Sequence, residues 1–309
     1  MIIYCNGDSH TSGVELADYL LPGYPNGTPT YIDSANAFDK EYLKRASIKG
    51  MLGLSDNTNS VLENRFCWYK ATYDISHPLG KLRQSIIQKI VNEEFSRAWP
   101  NKLFNLSGYP VINNAQGGSS MDRIARTTVS DLISLKGKHT NIISIIGLTG
   151  INRSELPSSG LVRMGHDVRV NRSHTWADVT HHRPCMFPPR QAVLDFKLKY
   201  ETDYHCYINF YKNIILIKNF CSVNNIRLYF VLPMRLPPKF RNDGLDNTYS
   251  YNDIESIRNL ENYANLVPDI DIPDIANSCK LPAVYAPGGH YVEAIHEIVA
   301  DKLFNIIKQ

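Results

Sequence analysis

The chain lacks the features that would place it in a membrane or on nucleic acid. None of its apolar runs approaches the roughly 18 residues that a transmembrane helix needs. The start, MIIYCNG, has neither the basic flank nor the long apolar core of a secretory signal. Lysine and arginine are scattered, and the formal net charge is only +3. We therefore expect no signal peptide, no membrane partner and no nucleic-acid partner.

Cysteine is scarce and shows no metal-binding spacing. The chain has six cysteines and no CxxC pair, which favours reduced thiols over disulfides or zinc ligands. The densest group of metal-ligating residue types is His174, His181, His182 and Cys185, and its spacing fits no standard zinc pattern. We expect no metal and no other cofactor.

Short apolar runs that end in glycine or proline recur along the chain. They lack strict alternation, as strands buried on both faces do, and they read MIIYCNG, PVINNAQGG, NIISIIGLTG, IRLYFVLPM and LPAVYAPGG. Helical patterns fall between and after them, at about 84–98, 120–136, 202–223 and 291–307. Strands that alternate with helices predict an α/β fold with a parallel sheet covered on both faces. The first strand, from Ile2 to Cys5, should lie centrally in that sheet.

Two stretches interrupt the alternation. Residues at about 15–80 and 153–200 are rich in Gly, Pro, Asn, Ser and His, and they are too long for simple connections. We interpret them as insertions into a single domain that spans residues 1–309.

The glycine-rich turns after the strands carry chemically useful groups. Ligands of open parallel sheets bind beyond the carboxyl ends of the strands, so these turns should converge. The first turn offers the hydroxyl of Ser9, the second offers backbone N–H groups at Gly117 and Gly118, and the last offers His290. A serine, amide donors and a histidine are the parts that acyl transfer needs.

Three motifs in this order resemble the SGNH (GDSL-type) hydrolase superfamily. They are GDSHT, NAQGGSS and GGHYVEAIHEIVADKL, and the opening GDSHTSGVEL is similar to SGNH-like proteins of tailed bacteriophages. The resemblance implies a three-layer α/β/α sandwich with a five-stranded, flavodoxin-like parallel sheet. It also implies ester hydrolysis without a cofactor, often the removal of acyl groups from carbohydrates or lipids.

The resemblance assigns roles to particular residues. Ser9 becomes the nucleophile and His290 the general base, and the backbone N–H groups of Ser9 and Gly118 become donors of the oxyanion hole. The family supplies a further donor from an asparagine side chain after the third strand. In GLTGINRSE, Thr149 stands at that position, and Asn152 follows three residues later. Either residue could complete the hole.

The acid that would orient the histidine is also replaced. The family has an aspartate three residues before the catalytic histidine, whereas Pro287 stands there in this chain. A backbone carbonyl could orient His290 instead, or Asp274 could reach in from the preceding loop. The residues alone leave both options open.

Other polar residues near these motifs favour structural roles. We expect Asp8 to bond within its own turn, His10 to face solvent or the insertion, and His296 to be packed and hydrogen-bonded on the last helix. Arg153 and Glu155 follow the third strand. An ion pair that holds the insertion and a contact to substrate are their two alternatives.

The sequence leaves two functions open. The first is a serine esterase that removes acyl groups, such as acetyl, from a carbohydrate or a similar small ester. The second is a virion structural or binding protein that keeps the fold with little or no catalysis, because fold does not settle function. The expected location is the cytoplasm of an infected host or the virion, with virion or oligomer contacts through the insertions.

Overall fold

The computed structural model describes residues 1–13, 16–17, 89, 92–117, 119–151, 153–157, 176–180, 203–234, 251–281, 284–285 and 290–309. They belong to two compact units. The sheet unit comprises Met1–Asp8, Tyr109–Met164 and Arg172–Pro273, and the helical unit comprises Ser9–Gly108, Gly165–Asn171 and Asp274–Gln309. A single domain remains a prediction, and most of the two predicted insertions lies outside the described residues.

The sheet unit contains a five-stranded parallel sheet flanked by helices, which confirms the predicted fold class. The strands of the described residues are β1 (Ile2–Asn6), β2 (Val111–Asn113), β3 (Ile142–Gly147), β4 (Arg153–Pro157), β5 (Trp176–Thr180), β6 (Arg227–Leu232) and β7 (Ile270–Asp271). The sheet has the order β2-β1-β3-β6-β7, while β4 and β5 form a separate antiparallel ribbon.

The strand order places β1 inside the sheet, between β2 and β3. Ile3 pairs with Val111 on one side and with Ile143 on the other. All residues of β1 and β3 are buried, which explains why their sequences do not alternate between apolar and polar residues. This is the flavodoxin-like order, in which the direction of winding reverses at β1. Ligands of such sheets bind at the carboxyl ends of the two strands that flank the reversal, here β1 and β3.

The named helices lie where amphipathic patterns meet these strands or each other. They are α1 (Ser9–Ser12), α2 (Trp99–Ser107), α3 (Met121–Lys136), α4 (Asp203–Val223), α5 (Tyr251–Ala264), α6 (Ile272–Ser278) and α7 (Glu293–Ile307). In the sheet unit, α3 packs on β1 and β3, and α4 packs on β6. In the helical unit, α2 packs against α7. None of the helices in the described part of the chain is both long and apolar enough to cross a membrane.

The sequence predicted most of these elements, with one wrong strand. Four of the five predicted strands became β1, β2, β3 and β6, but the fifth strand of the sheet is β7 rather than the run at 281–289. Within that run, Tyr285 forms only an isolated antiparallel bridge with Tyr291. The run differs from a sheet strand because its bridge partner lies six residues away in the same connection.

Candidate active site

The turn after β1 is fixed from below by a buried asparagine. Asn6 is fully buried, and its side-chain oxygen accepts the N–H of Gly7 at 2.9 Å. Its amide nitrogen donates to the hydroxyls of Thr127 and Thr128 on α3, at 2.8 and 3.0 Å. Because both ends of the Asn6 amide are held, the chain leaves the sheet in one defined direction. The next residues are Asp8 and Ser9.

Ser9 and His290 lie in contact in the helical unit, although 281 positions separate them. The distance from Ser9 Oγ to His290 Nε2 is 2.8 Å. Ser9 begins α1 and is 7% exposed, while His290 is half-buried. A hydroxyl and an imidazole nitrogen at this distance can exchange a proton, which is the geometry that a serine nucleophile and a general base require.

The segment that carries His290 is held at its C-terminal side. Tyr291 forms an antiparallel bridge with Tyr285, and the N–H of Val292 donates to the carbonyl of Val284 at 3.1 Å. Helix α7 begins at Glu293 directly afterwards. His290 therefore precedes a helix that is anchored before its first turn.

Ion pairs also hold the start of α7. Glu293 accepts from Arg97 at 2.9 Å and from Lys102 on α2, and Lys102 also pairs with Glu297 at 3.0 Å. Burial alone would lower the pKa of Lys102, but its bonds to the two glutamates raise it overall. Two cations around Glu293 fix the first turn of α7 against α2.

His10 packs on His290 instead of facing only solvent or an insertion, as the sequence suggested. The two ring centroids are 4.8 Å apart, with an interplanar angle of 45°. The His10 ring also lies 5.4 Å from the ring of Tyr291, which in turn lies 5.0 Å from that of Tyr285. Four rings thus surround the position at which Ser9 and His290 meet.

His296 has a structural environment, as its place on the helical stripe suggested. It is 2% exposed, and its Nδ1 accepts the backbone N–H of Trp99 at 3.1 Å. Trp99 begins α2, where N–H groups have no partner within the helix. Burial, together with the charges of His10, His290 and Lys102, lowers the pKa of His296 to about 3. His296 is therefore a neutral acceptor that caps α2.

A separate polar cluster lies at the strand ends of the sheet unit. Asp8 is fully buried, and its carboxylate pairs with Nη1 of Arg153 at 3.0 Å and accepts the hydroxyl of Thr149 at 3.2 Å. Arg153 Nη1 also donates to Thr149 Oγ1 at 2.7 Å and to the carbonyl of Ser119 at 3.4 Å. The ion pair of Arg153 expected from the sequence thus has Asp8 as a partner, and Asp8 bonds well beyond its own turn.

This cluster bears on the predicted oxyanion hole. Thr149 is 4% exposed, and its single hydroxyl hydrogen points to Asp8. A hydroxyl has only one hydrogen to donate, so this arrangement favours a structural role for Thr149 over an oxyanion donor. Gly118 and Asn152, the other predicted donors besides the Ser9 N–H, lie outside the described residues.

Asp274 occupies the first turn of α6 and is exposed to solvent. A carboxylate that orients a catalytic imidazole acts best when it is buried against it, because water weakens the interaction. The position of Asp274 therefore lends its predicted orienting role little support. The histidine-rich group that includes His174, His181, His182 and Cys185 lies outside the described residues. Among those that are described, no group of three or more His, Cys, Asp or Glu side chains could hold a metal ion.

Sequence reasoning missed the role of His10 and the pairing of Asp8 with Arg153. His10 directly follows Ser9 in the motif, and this adjacency was the one available signal for a role at the same site. The pairing of Asp8 with Arg153 joins residues 145 positions apart and left no local signal in the sequence.

Comparison with known proteins gives matches only among solved structures. No protein-family model matches the sequence, and none of the curated proteins matches it. A protein assigned to the lipolytic G-D-S-L family, from Desulfitobacterium hafniense DCB-2, is 12% identical with a TM-score of 0.39, over 99% of this chain and 98% of that one. An alpha/beta hydrolase enzyme from the metagenome of Lake Arreo, Spain, is 13% identical with a TM-score of 0.38, over 98% and 93% of the two chains.

A third similar structure is a carbohydrate esterase described as having divergent catalytic and non-catalytic binding functions. It is 14% identical with a TM-score of 0.37, and the match covers all of this chain. This chain spans only 64% of the length of that esterase.

Proposed function

We propose that this protein is a serine ester hydrolase of the SGNH type, with Ser9 as nucleophile and His290 as general base. The observation that carries the proposal is the 2.8 Å contact between Ser9 Oγ and His290 Nε2. A serine hydroxyl is a weak nucleophile by itself and becomes effective when an adjacent base takes its proton.

The geometry supports a two-step reaction. Ser9 Oγ adds to the ester carbonyl carbon while its proton passes to Nε2 of His290. The tetrahedral intermediate then expels the alcohol, which takes that proton, and leaves an acyl group on Ser9. A water molecule attacks the acyl carbon, gives its proton to Nε2, and releases the carboxylic acid as the proton returns to Ser9. Nε2 must be without hydrogen at the start, so Nδ1 carries the hydrogen of the neutral ring.

Stabilisation of the oxyanion determines how fast this reaction can be. The backbone N–H of Ser9 is the donor proposed among the described residues, and Gly118 and Asn152 are proposed as the others. The hydroxyl of Thr149 is held by Asp8. Loss of one oxyanion donor typically costs about 100- to 1,000-fold in kcat. We therefore expect slow turnover unless Asn152 supplies the missing donor.

The proposed substrate is a small acyl ester, such as an acetyl group on a carbohydrate. The 7% exposure of Ser9 supports a small acyl group, because a long chain would need more open space beside the hydroxyl. The preference for a carbohydrate rests on the family resemblance. No cofactor enters this mechanism.

Hydrolysis of an ester panel tests the proposal. The wild type, Ser9→Ala and Ser134→Ala would be assayed on p-nitrophenyl acetate, butyrate and octanoate and on acetylated xylan. Ser134 is an exposed serine of α3, so its variant controls for the loss of a hydroxyl. We expect activity on the acetyl esters that Ser9→Ala removes and Ser134→Ala retains. Equal hydrolysis by the wild type and Ser9→Ala on every ester would refute an esterase centred on Ser9.

A second candidate is a binding or structural protein with the same fold, including a virion protein of a tailed bacteriophage. The specific observation in its favour is the threonine at position 149, whose hydroxyl is occupied by Asp8 and Arg153. In this alternative the insertions provide contacts to the virion or to other copies of the chain. No hydrolysis of any ester, together with retained binding of an acetylated glycan, would favour this candidate.

A further inference from the structure

The ring of His10 lies against the one imidazole that the proposed reaction uses. Its centroid is 4.8 Å from that of His290, within the range at which aromatic rings attract each other. His10 follows Ser9 directly in α1, so one short helix supplies both the hydroxyl and the ring that contact His290. This arrangement gives His290 a contact to Ser9 at Nε2 and a second contact from the neighbouring residue.

We infer that His10 is a positioning residue, whose ring keeps the imidazole of His290 turned so that Nε2 faces Ser9 Oγ. The orientation itself is a structural property of the free protein. Its consequence for catalysis rests on the proposed esterase function.

The need for such a contact follows from the chemistry of the imidazole side chain. The terminal torsion of histidine has broad minima, so the ring can turn unless its neighbours restrict it. In the motif that the chain resembles, an aspartate three residues earlier restricts it. Here residues 287–289 are Pro, Gly and Gly, none of which has a carboxylate. A ring packed beside His290 can restrict its rotation without a charge.

His10 is itself restrained, which a positioning residue must be. It lies in a helical turn in which the hydroxyl of Ser12 donates to the carbonyl of Ser9 at 3.2 Å. Its ring also contacts Tyr291, whose backbone bridges to Tyr285. The His10 ring is thus placed between two segments that are each held by backbone bonds.

The neighbouring histidine cannot take this role. His296 uses Nδ1 to accept the N–H of Trp99 and lies fully within the packing of α7. Its orientation is set by α2. This leaves His10 as the histidine of the described residues that contacts the ring of His290.

The test uses variants that separate the flat ring from its nitrogens and its bulk. His10→Phe keeps a flat ring, His10→Leu keeps apolar bulk without one, and His10→Ala removes both. His139→Ala removes an exposed histidine and serves as the control. Each variant would be studied as the full chain labelled with ¹⁵N-histidine, with thermal unfolding recorded to verify that it folds.

The first readout is the NMR signal of the His290 ring nitrogens, which reports tautomer and hydrogen bonding without any substrate. We expect one tautomer with Nε2 as acceptor in the wild type, His10→Phe and His139→Ala. In His10→Leu and His10→Ala the signals should move towards the average of two tautomers. The second readout is the hydrolysis of p-nitrophenyl acetate. Here His10→Ala should lower kcat about 2- to 10-fold at unchanged KM, and His10→Phe should restore it.

The outcomes separate this inference from the proposed function. Changed His290 signals in His10→Ala and His10→Leu, but not in His10→Phe, support the positioning role even if the wild type hydrolyses no ester, in which case only the proposed function fails. Identical His290 signals in the wild type and all His10 variants would overturn the positioning role, whatever the activity. A change in His10→Phe as large as that in His10→Ala would also overturn it, because the flat ring would then not be what holds His290.

Discussion

Two histidines six residues apart, one before α7 and one inside it, have opposite kinds of partner. His290 contacts the hydroxyl of Ser9 at 2.8 Å, whereas His296 accepts a backbone N–H from Trp99 at 3.1 Å. A hydroxyl can both donate and accept, so His290 can take up a proton and still keep its partner. A backbone N–H can only donate, so protonation of His296 at Nδ1 would break its bond. The partner thus decides which imidazole can act as a base.

Their surroundings reinforce this difference. His290 is half-buried, while His296 is 2% exposed and has its pKa lowered to about 3 by burial and by the nearby charges of His10, His290 and Lys102. Within one short stretch of chain, the site keeps one imidazole available for proton transfer and one permanently neutral. The predictions below exploit that contrast.

The largest expected effect is on turnover. In His290→Ala, kcat for ester hydrolysis should fall by about 1,000-fold or more, because the base that activates Ser9 is lost. In His296→Leu, kcat per folded molecule should change by less than about 10-fold, since His296 touches neither Ser9 nor the proposed substrate. Steady-state hydrolysis of p-nitrophenyl acetate measures both. Similar losses in the two variants would show that the histidines do not have the separate roles assigned here.

The second effect is on stability and has the opposite order. His296→Leu should lower the free energy of unfolding by roughly 1 to 3 kcal/mol, because the buried N–H of Trp99 loses its acceptor. His290→Leu should cost less than about 1 kcal/mol, since its side chain is only half-buried. Urea unfolding followed by circular dichroism gives both values. A larger loss in His290→Leu than in His296→Leu would contradict the capping role of His296.

The third effect is the pH dependence of that stability. The pKa of His296 is lowered from 6.5 in the unfolded chain to about 3 in the folded one, so the unfolded state binds the proton first as the pH falls. The stability that His296 contributes is therefore complete above pH 6.5, decreases between pH 6.5 and about 3, and is lost below. The decrease is at most about 1.4 kcal/mol per pH unit for one group.

The measurement for this prediction is the difference in unfolding free energy between the wild type and His296→Leu at several pH values. The difference should shrink as the pH falls below 6.5. Because other groups titrate equally in both proteins, their contributions cancel. A difference that stays constant from pH 7 to pH 4 would show that His296 does not titrate as described.

The smallest effect concerns Glu293, which lies between the two histidines. Glu293→Gln should cost about 0.5 to 1 kcal/mol, since its pairs with Arg97 and Lys102 are partly open to solvent and are screened by water. The loss should become smaller in 1 M salt, and kcat should stay within about twofold. A loss of activity as large as that of His290→Ala would mean that Glu293, rather than His290, dominates the site.

The sequence predicted the elements whose local pattern agrees with their environment. The unalternating runs of β1, β3 and β6 reflect burial in a parallel sheet, and α3, α4 and α7 lie close to their predicted limits. Ser9 and His290 were singled out because both follow turns at expected strand ends. The structure brings their side chains together, and their catalytic roles remain the proposal to be tested.

The remaining features depend on contacts that a local pattern does not contain. Strand β7 has two residues, which is too short for a period to show. The ring contact of His10 depends on the direction of a side chain in a four-residue helix and on a partner 280 positions away. Asp8 and Arg153 meet because β4 follows β3, and the sequence predicted a loop-like insertion there instead of a strand.

The most direct test of the central claim is covalent labelling with a fluorophosphonate, which reacts with serine hydroxyls that a base activates. Intact mass and peptide mapping would be compared for the wild type, Ser9→Ala, His290→Ala and His296→Leu. We predict one adduct per chain, located on Ser9, that is absent in Ser9→Ala, strongly slowed in His290→Ala and unchanged in His296→Leu. Labelling of Ser9→Ala at the wild-type rate, or equal labelling of Ser9 in the wild type and His290→Ala, would contradict an activated Ser9–His290 pair.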